Sequence, residues 1–271
     1  MIKKILLFCC TILLISSFIP KNKKEFIPPG TVKINDTLFA DETEISNFSW
    51  QEYELWTKNK FGSNSPGHIS TLPDTLVWRD KNAYNEPYVQ YYYRHPAYKD
   101  YPVIGISYEQ AVEFCKWRTN RVKEFICISK KHDPVEFEYR LPSKAEWEFL
   151  SNNGTGYFSQ NGRNEKNQMT SNHVWEPKDS VEYKKLINGT KGYTNDNADV
   201  TAPVYSYWKN LFGLYCMIGN VSEMVQEKGI SKGGGWRHRL EQCRVGKDIT
   251  YEKPTAWLGF RCVCLVKKSK I

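Results

Sequence analysis

The chain has 271 residues and a mass of 31.7 kDa, and 40% of its residues are apolar. This is enough for one substantial core or two small ones, which excludes a disordered or fibrous protein. Charged residues make up 25%, and the net charge of +8 is spread along the chain apart from short basic runs near its ends. Nucleic-acid-binding proteins usually concentrate positive charge, so no nucleic-acid partner is expected. The 17 Tyr and nine Trp predict many buried rings.

The first twenty residues have a basic segment followed by an apolar segment, as an export signal does. The basic pair Lys3–Lys4 precedes the apolar stretch Ile5–Ile19. We predict that residues 1–20 are an export signal or an N-terminal anchor, with a buried helix as the alternative. Cys9–Cys10 lie inside the apolar stretch, which does not favour lipid attachment. Export would place the protein in the periplasm or the outer-membrane-associated cell envelope. No later stretch is long enough to span a membrane, so membrane association is expected only through this segment.

Two elements are predicted in the next part of the chain. Pro28–Ala40 alternates between apolar and polar residues around turn residues at Asn35–Asp36, which predicts a β-hairpin. Glu44–Lys58 has apolar residues at spacings of three and four, which predicts a helix capped by Ser46 or Asn47.

The following segment, Gly62–Pro102, has no sustained period and is rich in Pro, Asn, Asp and Tyr. We interpret it as a long ordered loop packed by its own rings, because eight Tyr lie between Tyr84 and Tyr108. Interleaved Tyr and Arg also stack single-stranded nucleic acid. Arg94 is the one Arg among these rings, which favours packing.

Two capping boxes mark the strongest predicted helices. Ser107 with Gln110 begins a helix that runs to about Ile126, and Ser143 with Glu146 begins a second one.

The last third of the chain has less regular patterns. Residues 152–197 are polar with scattered strands, and order returns from Val204. Low regular structure, many turns and the lack of an internal repeat predict a single α+β domain over residues 21–271.

An even number of cysteines follows the N-terminal segment, and export would place them in a compartment that permits disulfides. These six are Cys115, Cys127, Cys216, Cys243, Cys262 and Cys264. None of them has C-x-x-C spacing, and His132, His173 and His238 have no His or Cys partner at close spacing, so a structural zinc site is not expected.

Five blocks, in this order, carry the most distinctive motifs: Pro102–Ser107, Tyr139–Glu148, Phe212–Glu223, Lys232–Trp236 and Gly259–Arg261. Together they resemble the formylglycine-generating enzyme (sulfatase-modifying factor, FGE-sulfatase) family. The resemblance implies a compact, loop-rich α+β fold of the C-type-lectin-like kind. The N-terminal part, with Asp41–Ile45 and Tyr92–Ala97, looks most like the branch found in gliding-motility and type nine secretion lipoproteins of Bacteroidetes.

The catalytic motif of this family is altered here. In the oxidase members, R-G-G-S-W is followed by two cysteines, at the second and seventh positions after the Trp, which bind copper(I) and capture the substrate thiol. After Trp236, these positions hold His238 and Cys243. The motif Ser is Gly235, and the Trp of the family's G-N-x-W-E-W segment is Ser222. Because copper(I) is suited by two soft thiolates, copper is not the expected cofactor.

His238 and Cys243 are the candidate catalytic residues. They can form a mixed nitrogen and sulfur copper site, or a cysteine nucleophile activated by histidine. We favour the alternative in which the cleft is unused and Cys243 is a small buried apolar residue.

The resemblance also implies calcium, held by main-chain carbonyls and acidic or amide side chains. The candidate ligands are Asn172, Asp196, Gly219, Val221 and Glu223. Cys216 stands where one oxygen ligand is expected, and sulfur is a poor calcium ligand. Solvated turns are the alternative interpretation of the Asn and Asp.

One disulfide is implied by the resemblance, between the positions that correspond to Cys115 and Cys262. Closing a loop of this length would stabilise the fold by roughly 3 to 5 kcal/mol through the entropy of the unfolded chain.

Three functions follow from these patterns. The favoured one is a non-catalytic scaffold that binds envelope proteins and is related to gliding-motility or secretion lipoproteins. The second is a copper-dependent oxidase that acts on protein cysteine. The third is a carbohydrate- or peptide-binding module.

Overall fold

The computed structural model describes residues 26–81, 83–129, 135–154 and 200–267. The predicted export signal and most of the polar span 152–197 therefore lie outside the described residues. Within the described ranges, no helix has the length and apolar character needed to cross a membrane.

Short strands and helices alternate along these ranges. The strands are β1 (Thr31–Lys33), β2 (Leu38–Asp41), β3 (Glu136–Arg140), β4 (Ser222–Met224), β5 (Ile230–Lys232), β6 (Ile249–Thr250), β7 (Leu258–Gly259) and β8 (Val263–Lys267). The helices are α1 (Asn47–Phe61), α2 (Pro66–Ile69), α3 (Glu86–Tyr91), α4 (Tyr108–Ser129), α5 (Lys144–Gly154) and α6 (Leu240–Cys243).

The strands form two four-stranded sheets. The first has the order β1-β2-β8-β3 with antiparallel neighbours, and its register places Phe39 and Tyr139 on either side of Cys264. The second has the order β6-β5-β4-β7, and its β4–β7 pair is parallel. The predicted hairpin is confirmed as β1 and β2. Its turn is held by the Asn35 side chain, which accepts the backbone N–H of Leu38 at 2.8 Å.

The first predicted helix is confirmed with shifted bounds. Helix α1 begins at Asn47 rather than Glu44, because Ser46 is its N-cap and accepts the N–H of Ser49 at 3.2 Å. It continues to Phe61, three residues beyond the predicted end.

Both predicted capping boxes are confirmed. The Ser107 N–H donates to the Gln110 side chain at 2.7 Å, and α4 runs to Ser129, three residues beyond the predicted end. The Ser143 N–H donates to the Glu146 carboxylate at 2.8 Å at the start of α5.

The segment 62–102 is more regular than the single loop predicted for it. It contains α2, α3 and two 3₁₀ turns, Thr75–Trp78 and Pro96–Tyr98. The predicted ring packing is confirmed, since Trp78 lies 4.8 Å from Tyr92 and 5.9 Å from Trp236 between ring centroids. Each element is one turn or little more, and such short helices leave no sustained period in the sequence.

The main core lies between α1, α4 and the sheets. Trp50 of α1 stacks on Phe114 of α4 at 5.4 Å and meets Phe260 edge to face at 6.0 Å. Phe260 begins the segment that joins β7 to β8 and so ties the helices to both sheets.

Candidate functional site

The loop Gly233–Trp236 follows β5 and contains the altered motif. Gly233 and Gly234 have φ values of +83° and +64°, which favour glycine. A Cβ on Gly234 would lie 3.0 Å from Cα of Cys243 and closer still to its sulfur. The loop backbone therefore packs directly on Cys243.

The motif serine has no room at Gly235. A Cβ there would lie 2.9 Å from the carbonyl oxygen of Asn220 and 3.0 Å from that of Trp257. Ser222 stands where the family has a tryptophan. It is buried, and its hydroxyl donates to that of Ser231 at 2.7 Å. Both substitutions belong to the packing of the site.

His238 is nearly buried, and its ring is fixed on two sides. Its Nδ1 accepts the N–H of Gly235 at 3.0 Å, and its ring meets Trp257 edge to face at 4.7 Å. Burial lowers the pKa of His238. The imidazole is therefore neutral at neutral pH, with one nitrogen already engaged by the main chain.

Cys243 is fully buried at the end of α6. Its thiol contacts the main-chain oxygen of His238 at 4.0 Å, and burial raises the pKa of the thiol well above its usual range. The reactive and metal-binding form of cysteine is the thiolate, which this environment suppresses. The structure thus brings the two candidate catalytic residues together through the His238 main chain.

These residues do not fit a copper(I) centre. The site offers one protonated thiol and an imidazole that is held by Gly235, whereas copper(I) is suited by soft thiolates. In the part of the chain that the structure describes, no group of three or more His, Cys, Asp or Glu side chains could hold a metal ion.

A buried ion pair lies behind the loop, between Arg261 and Glu223. Arg261 Nη2 is 2.6 Å from Glu223 Oε1, and both side chains are 0% exposed. The Trp147 indole N–H also donates to Glu223, at 2.7 Å. The remaining guanidinium donors reach the carbonyl oxygens of Asp41 at 3.2 Å and Tyr215 at 2.8 Å.

Glu44 is the second buried carboxyl group near this pair. Its Oε1 accepts the Asn220 amide at 3.0 Å. Burial raises the pKa of Glu44 to about 8 from a usual value of 4.5, although Arg261 opposes this shift. Since the folded pKa is the higher one, Glu44 lowers the stability of the fold as pH rises from about 5 to 8.

The Glu223 carboxylate, one of the candidate calcium ligands, does not fit a calcium ion. Both Glu223 oxygens already accept hydrogen bonds from the buried ion pair, and the Cys216 thiol donates to the carbonyl oxygens of Val204 and Ser206 at 3.7 and 3.5 Å. Calcium needs several oxygen ligands free to coordinate it. The Glu223 carboxylate is therefore not free for this role, and calcium binding stays a prediction. The other candidate ligands lie outside the described residues: Asn172 and Asp196.

The predicted disulfide partners lie side by side. The sulfur atoms of Cys115 in α4 and Cys262, just before β8, are 3.5 Å apart, and both residues are buried thiols in this structure. The disulfide stays a prediction. Of the other cysteines, Cys127 is exposed whereas Cys216 and Cys264 are buried.

Lys232 is a buried charged residue that the sequence patterns missed. Its side chain is 0% exposed, and Nζ lies 2.6 Å from the Glu148 carboxylate and 3.0 Å from that of Asp248. Lys232 lies in a motif block, directly before three glycines, but nothing in that motif indicates that its side chain is buried. Glu44 was missed because it reads as the first residue of a helix.

A family model described as the sulfatase-modifying factor enzyme 1-like domain (FGE-sulfatase) matches residues 14–266. The chain belongs to this family. The predicted family and α+β fold class are thereby confirmed, whereas the Bacteroidetes branch stays a prediction.

Relatives of this FGE-sulfatase chain have diverged widely. The formylglycine-generating enzyme of Bos taurus is 22% identical over 90% of this chain and 70% of its own length. The chaperone protein LppX of Paenibacillus barcinonensis is 27% identical over 50% of this chain and 59% of its own length.

Solved structures are also similar to this FGE-sulfatase chain. CarF is 16% identical with a TM-score of 0.49 over 85% of this chain and 87% of CarF. PvdO from Pseudomonas aeruginosa is 18% identical with a TM-score of 0.43 over 62% of this chain and 63% of PvdO.

Removing the charge of Glu223 should destabilise the FGE-sulfatase domain. Glu223→Gln leaves Arg261 buried without its counter-charge, and we expect a loss of about 3 to 5 kcal/mol in unfolding free energy, measured by urea denaturation. The matched control is Glu136→Gln, which removes an exposed pair with Lys267 and should change stability little. A Glu223→Gln variant as stable as the wild type would contradict the assignment.

The thiol of Cys243 should resist alkylation in the folded protein. It is fully buried and protonated, whereas Cys127 is exposed. Peptide mapping by mass spectrometry after brief maleimide treatment at neutral pH should find Cys127 modified and Cys243 modified only after denaturation. Rapid labelling of Cys243 without denaturant would show that the thiol is accessible and reactive.

Proposed function

We propose that this chain is a non-catalytic member of the FGE-sulfatase family that binds protein partners in the cell envelope. One observation carries the proposal: the motif thiol of Cys243 is buried and protonated, and it rests on the His238 main chain. The first of the two motif cysteine positions is occupied by His238. A site with one suppressed thiol lacks the pair of thiolates on which the copper mechanism depends.

The segment 62–102 supplies a surface for partners, which we call the tyrosine face. Its exposed residues include Tyr84 at 84% and Tyr91 at 51%. Tyr92, next to Tyr91 in the chain, is buried and packs against Trp78 at 4.8 Å between ring centroids. Tyrosine is enriched at interfaces and among the residues that dominate binding energy.

The N-terminal half of the chain extends this proposal to a cellular location and to a branch of the family. The basic pair and apolar stretch within residues 1–20 support export to the periplasm or the outer-membrane-associated envelope, with this segment as the membrane contact. The motifs Asp41–Ile45 and Tyr92–Ala97 support a relation to gliding-motility or secretion lipoproteins. Any calcium would be held by Asn172 and Asp196, since Glu223 is engaged by the buried ion pair.

The purified protein should not convert a sulfatase-type Cys-x-Pro-x-Arg peptide to its formylglycine form. Copper(I), oxygen and a thiol reductant are supplied, and the peptide mass is followed by mass spectrometry. An authentic formylglycine-generating enzyme in the same buffer is the positive control. Formylglycine formed by this chain, and lost in Cys243→Ser, would establish the oxidase alternative and remove the non-catalytic proposal.

A cross-linked pull-down from the native envelope should recover defined protein partners at near-stoichiometric yield. The double variant Tyr84→Ser/Tyr91→Ser should lose them, because the anchors of the tyrosine face are gone. The matched control is Phe125→Ser, which removes a ring that is 61% exposed on α4. Partners retained by the double variant would refute the tyrosine face, and recovery of background proteins alone would refute the scaffold.

A further inference from the structure

Several parts of the chain meet at the C-terminal end of α4. Phe26 lies 5.2 Å from Phe137 of β3 between ring centroids. Nζ of Lys123, in the last two turns of α4, lies 5.8 Å from the centre of the same Phe137 ring. Lys267, the last residue of β8, pairs at 2.6 Å with Glu136, which directly precedes Phe137. We call this region the basal end of the domain, and it comprises Phe26–Ile27, Lys123–Ile128, Glu136–Phe137 and Lys267.

The basal end exposes apolar side chains at the tip of a fixed helix. Phe125 and Ile128 are 61% and 79% exposed, and Ile27, next to Phe26, is 54% exposed. In the same turn of α4, Ile126 is buried in the main core, so packing holds the helix end in place. Apolar side chains that gather on one exposed surface mark contact sites for proteins or membranes.

The chain attached to the basal end carries an excess of positive charge. Beside the end of α4, three basic side chains face three acidic ones: Arg121, Lys123, Lys267, Glu124, Glu136 and Glu138. The excess comes from residues 21–25 and 268–271, which directly precede Phe26 and follow Lys267. These two stretches contain five lysines and one glutamate, so they account for half of the net charge of +8. The excess disfavours a second copy of the same end as the partner and favours a surface of negative charge.

The N-terminal segment limits how far the basal end lies from a membrane. The apolar stretch Ile5–Ile19 ends seven residues before Phe26. An extended chain spans at most about 3.5 Å per residue, so Phe26 lies within about 25 Å of the end of that stretch. With residues 1–20 as the membrane contact proposed above, the basal end is held close to the lipid headgroups. Lysines beside an anionic surface add an attraction that decays over a Debye length, about 8 Å at physiological ionic strength.

We infer that the basal end docks on an anionic phospholipid surface, with Phe125 and Ile128 among the headgroups and the lysines of the attached chain against lipid phosphates. The inference rests on the membrane contact proposed for residues 1–20 and deepens it, because a second contact fixes the orientation of the domain. The sequence patterns assign membrane contact to residues 1–20 alone, and docking adds the domain itself. The tyrosine face lies outside the basal end, so partner recovery through that face is a separate measurement.

Cys127 places a probe between the exposed apolar side chains of α4. It is the exposed thiol among the cysteines that the structure describes, and Cys9→Ser/Cys10→Ser removes the two thiols of the N-terminal segment. The full chain with this change is labelled at Cys127 with the fluorophore NBD and reconstituted into vesicles of phosphatidylcholine and phosphatidylglycerol. Doxyl-labelled lipid should quench the NBD. Quenching should weaken without phosphatidylglycerol or in about 1 M salt, because the charge attraction is then removed or screened.

Loss of the apolar side chains should abolish most of this quenching. Ile27→Ser/Ile128→Ser removes two exposed side chains of the basal end, while residues 1–20 should still carry the protein with the vesicles in a flotation assay. The matched control is Ile69→Ser/Leu76→Ser, which removes two side chains that are each 53% exposed and should leave the quenching unchanged. Thermal unfolding verifies that each variant is folded.

The control positions belong to a segment at the opposite end of α4. Gln110, in the first turn of α4, donates to the carbonyl oxygens of Ser70 and Leu72 at 2.8 and 3.1 Å. A second probe position at this end is Glu109→Cys, combined with Cys127→Ser, because Glu109 is exposed. It lies about 27 Å from position 127 along the helix axis, and a label there should not be quenched.

A chain that does not float with the vesicles would refute both the membrane contact of residues 1–20 and the docking. Flotation with an unquenched label at Cys127 would refute the docking alone. A label that is blue-shifted but unquenched would indicate that protein covers the basal end, and equal quenching at the two probe positions would show adsorption without a fixed orientation. Either result overturns the inference, as would full quenching in Ile27→Ser/Ile128→Ser.

Discussion

The fold depends on one buried guanidinium. Arg261 lies between β7 and β8, pairs with Glu223 of β4, and donates to main-chain oxygens of Asp41 and Tyr215. It therefore joins the ends of both sheets and the loop before β4. Taking two charges out of water is expensive, and such a pair persists only when its hydrogen-bonding capacity is filled. The contacts of Arg261 and the Trp147 indole fill it.

This internal cation explains two neighbouring features. It supplies positive charge at the Glu223 carboxylate, where the family resemblance implied a calcium ligand. It also leaves Glu44 as a second carboxyl group beside a cation that is already matched. Burial then favours its neutral form.

The elements that were predicted correctly are those whose signals are local. The capping boxes at Ser107 and Ser143 join residues three apart, and the hairpin turn is held by Asn35 within three residues. The buried charges were not predictable in this way. Arg261 and Glu223 are 38 residues apart in the chain. A charged residue is rarely buried without a partner, and the sequence does not show which distant residue the fold will place beside it. The spacing of His238 and Cys243 identified the altered motif, but it did not determine that the thiol would meet a carbonyl oxygen.

The crowding at Gly235 bears on how this branch of the family can change. A side chain at that position would press on main-chain atoms of two separate segments, Asn220–Ser222 and the one that contains Trp257. Main-chain atoms cannot rotate aside as a long side chain can. A serine at position 235 would therefore require both segments to move, and a cysteine in place of His238 would not by itself provide that space. The glycine at this position is thus required by the path of the surrounding backbone, and a single substitution there would disturb two parts of the fold at once.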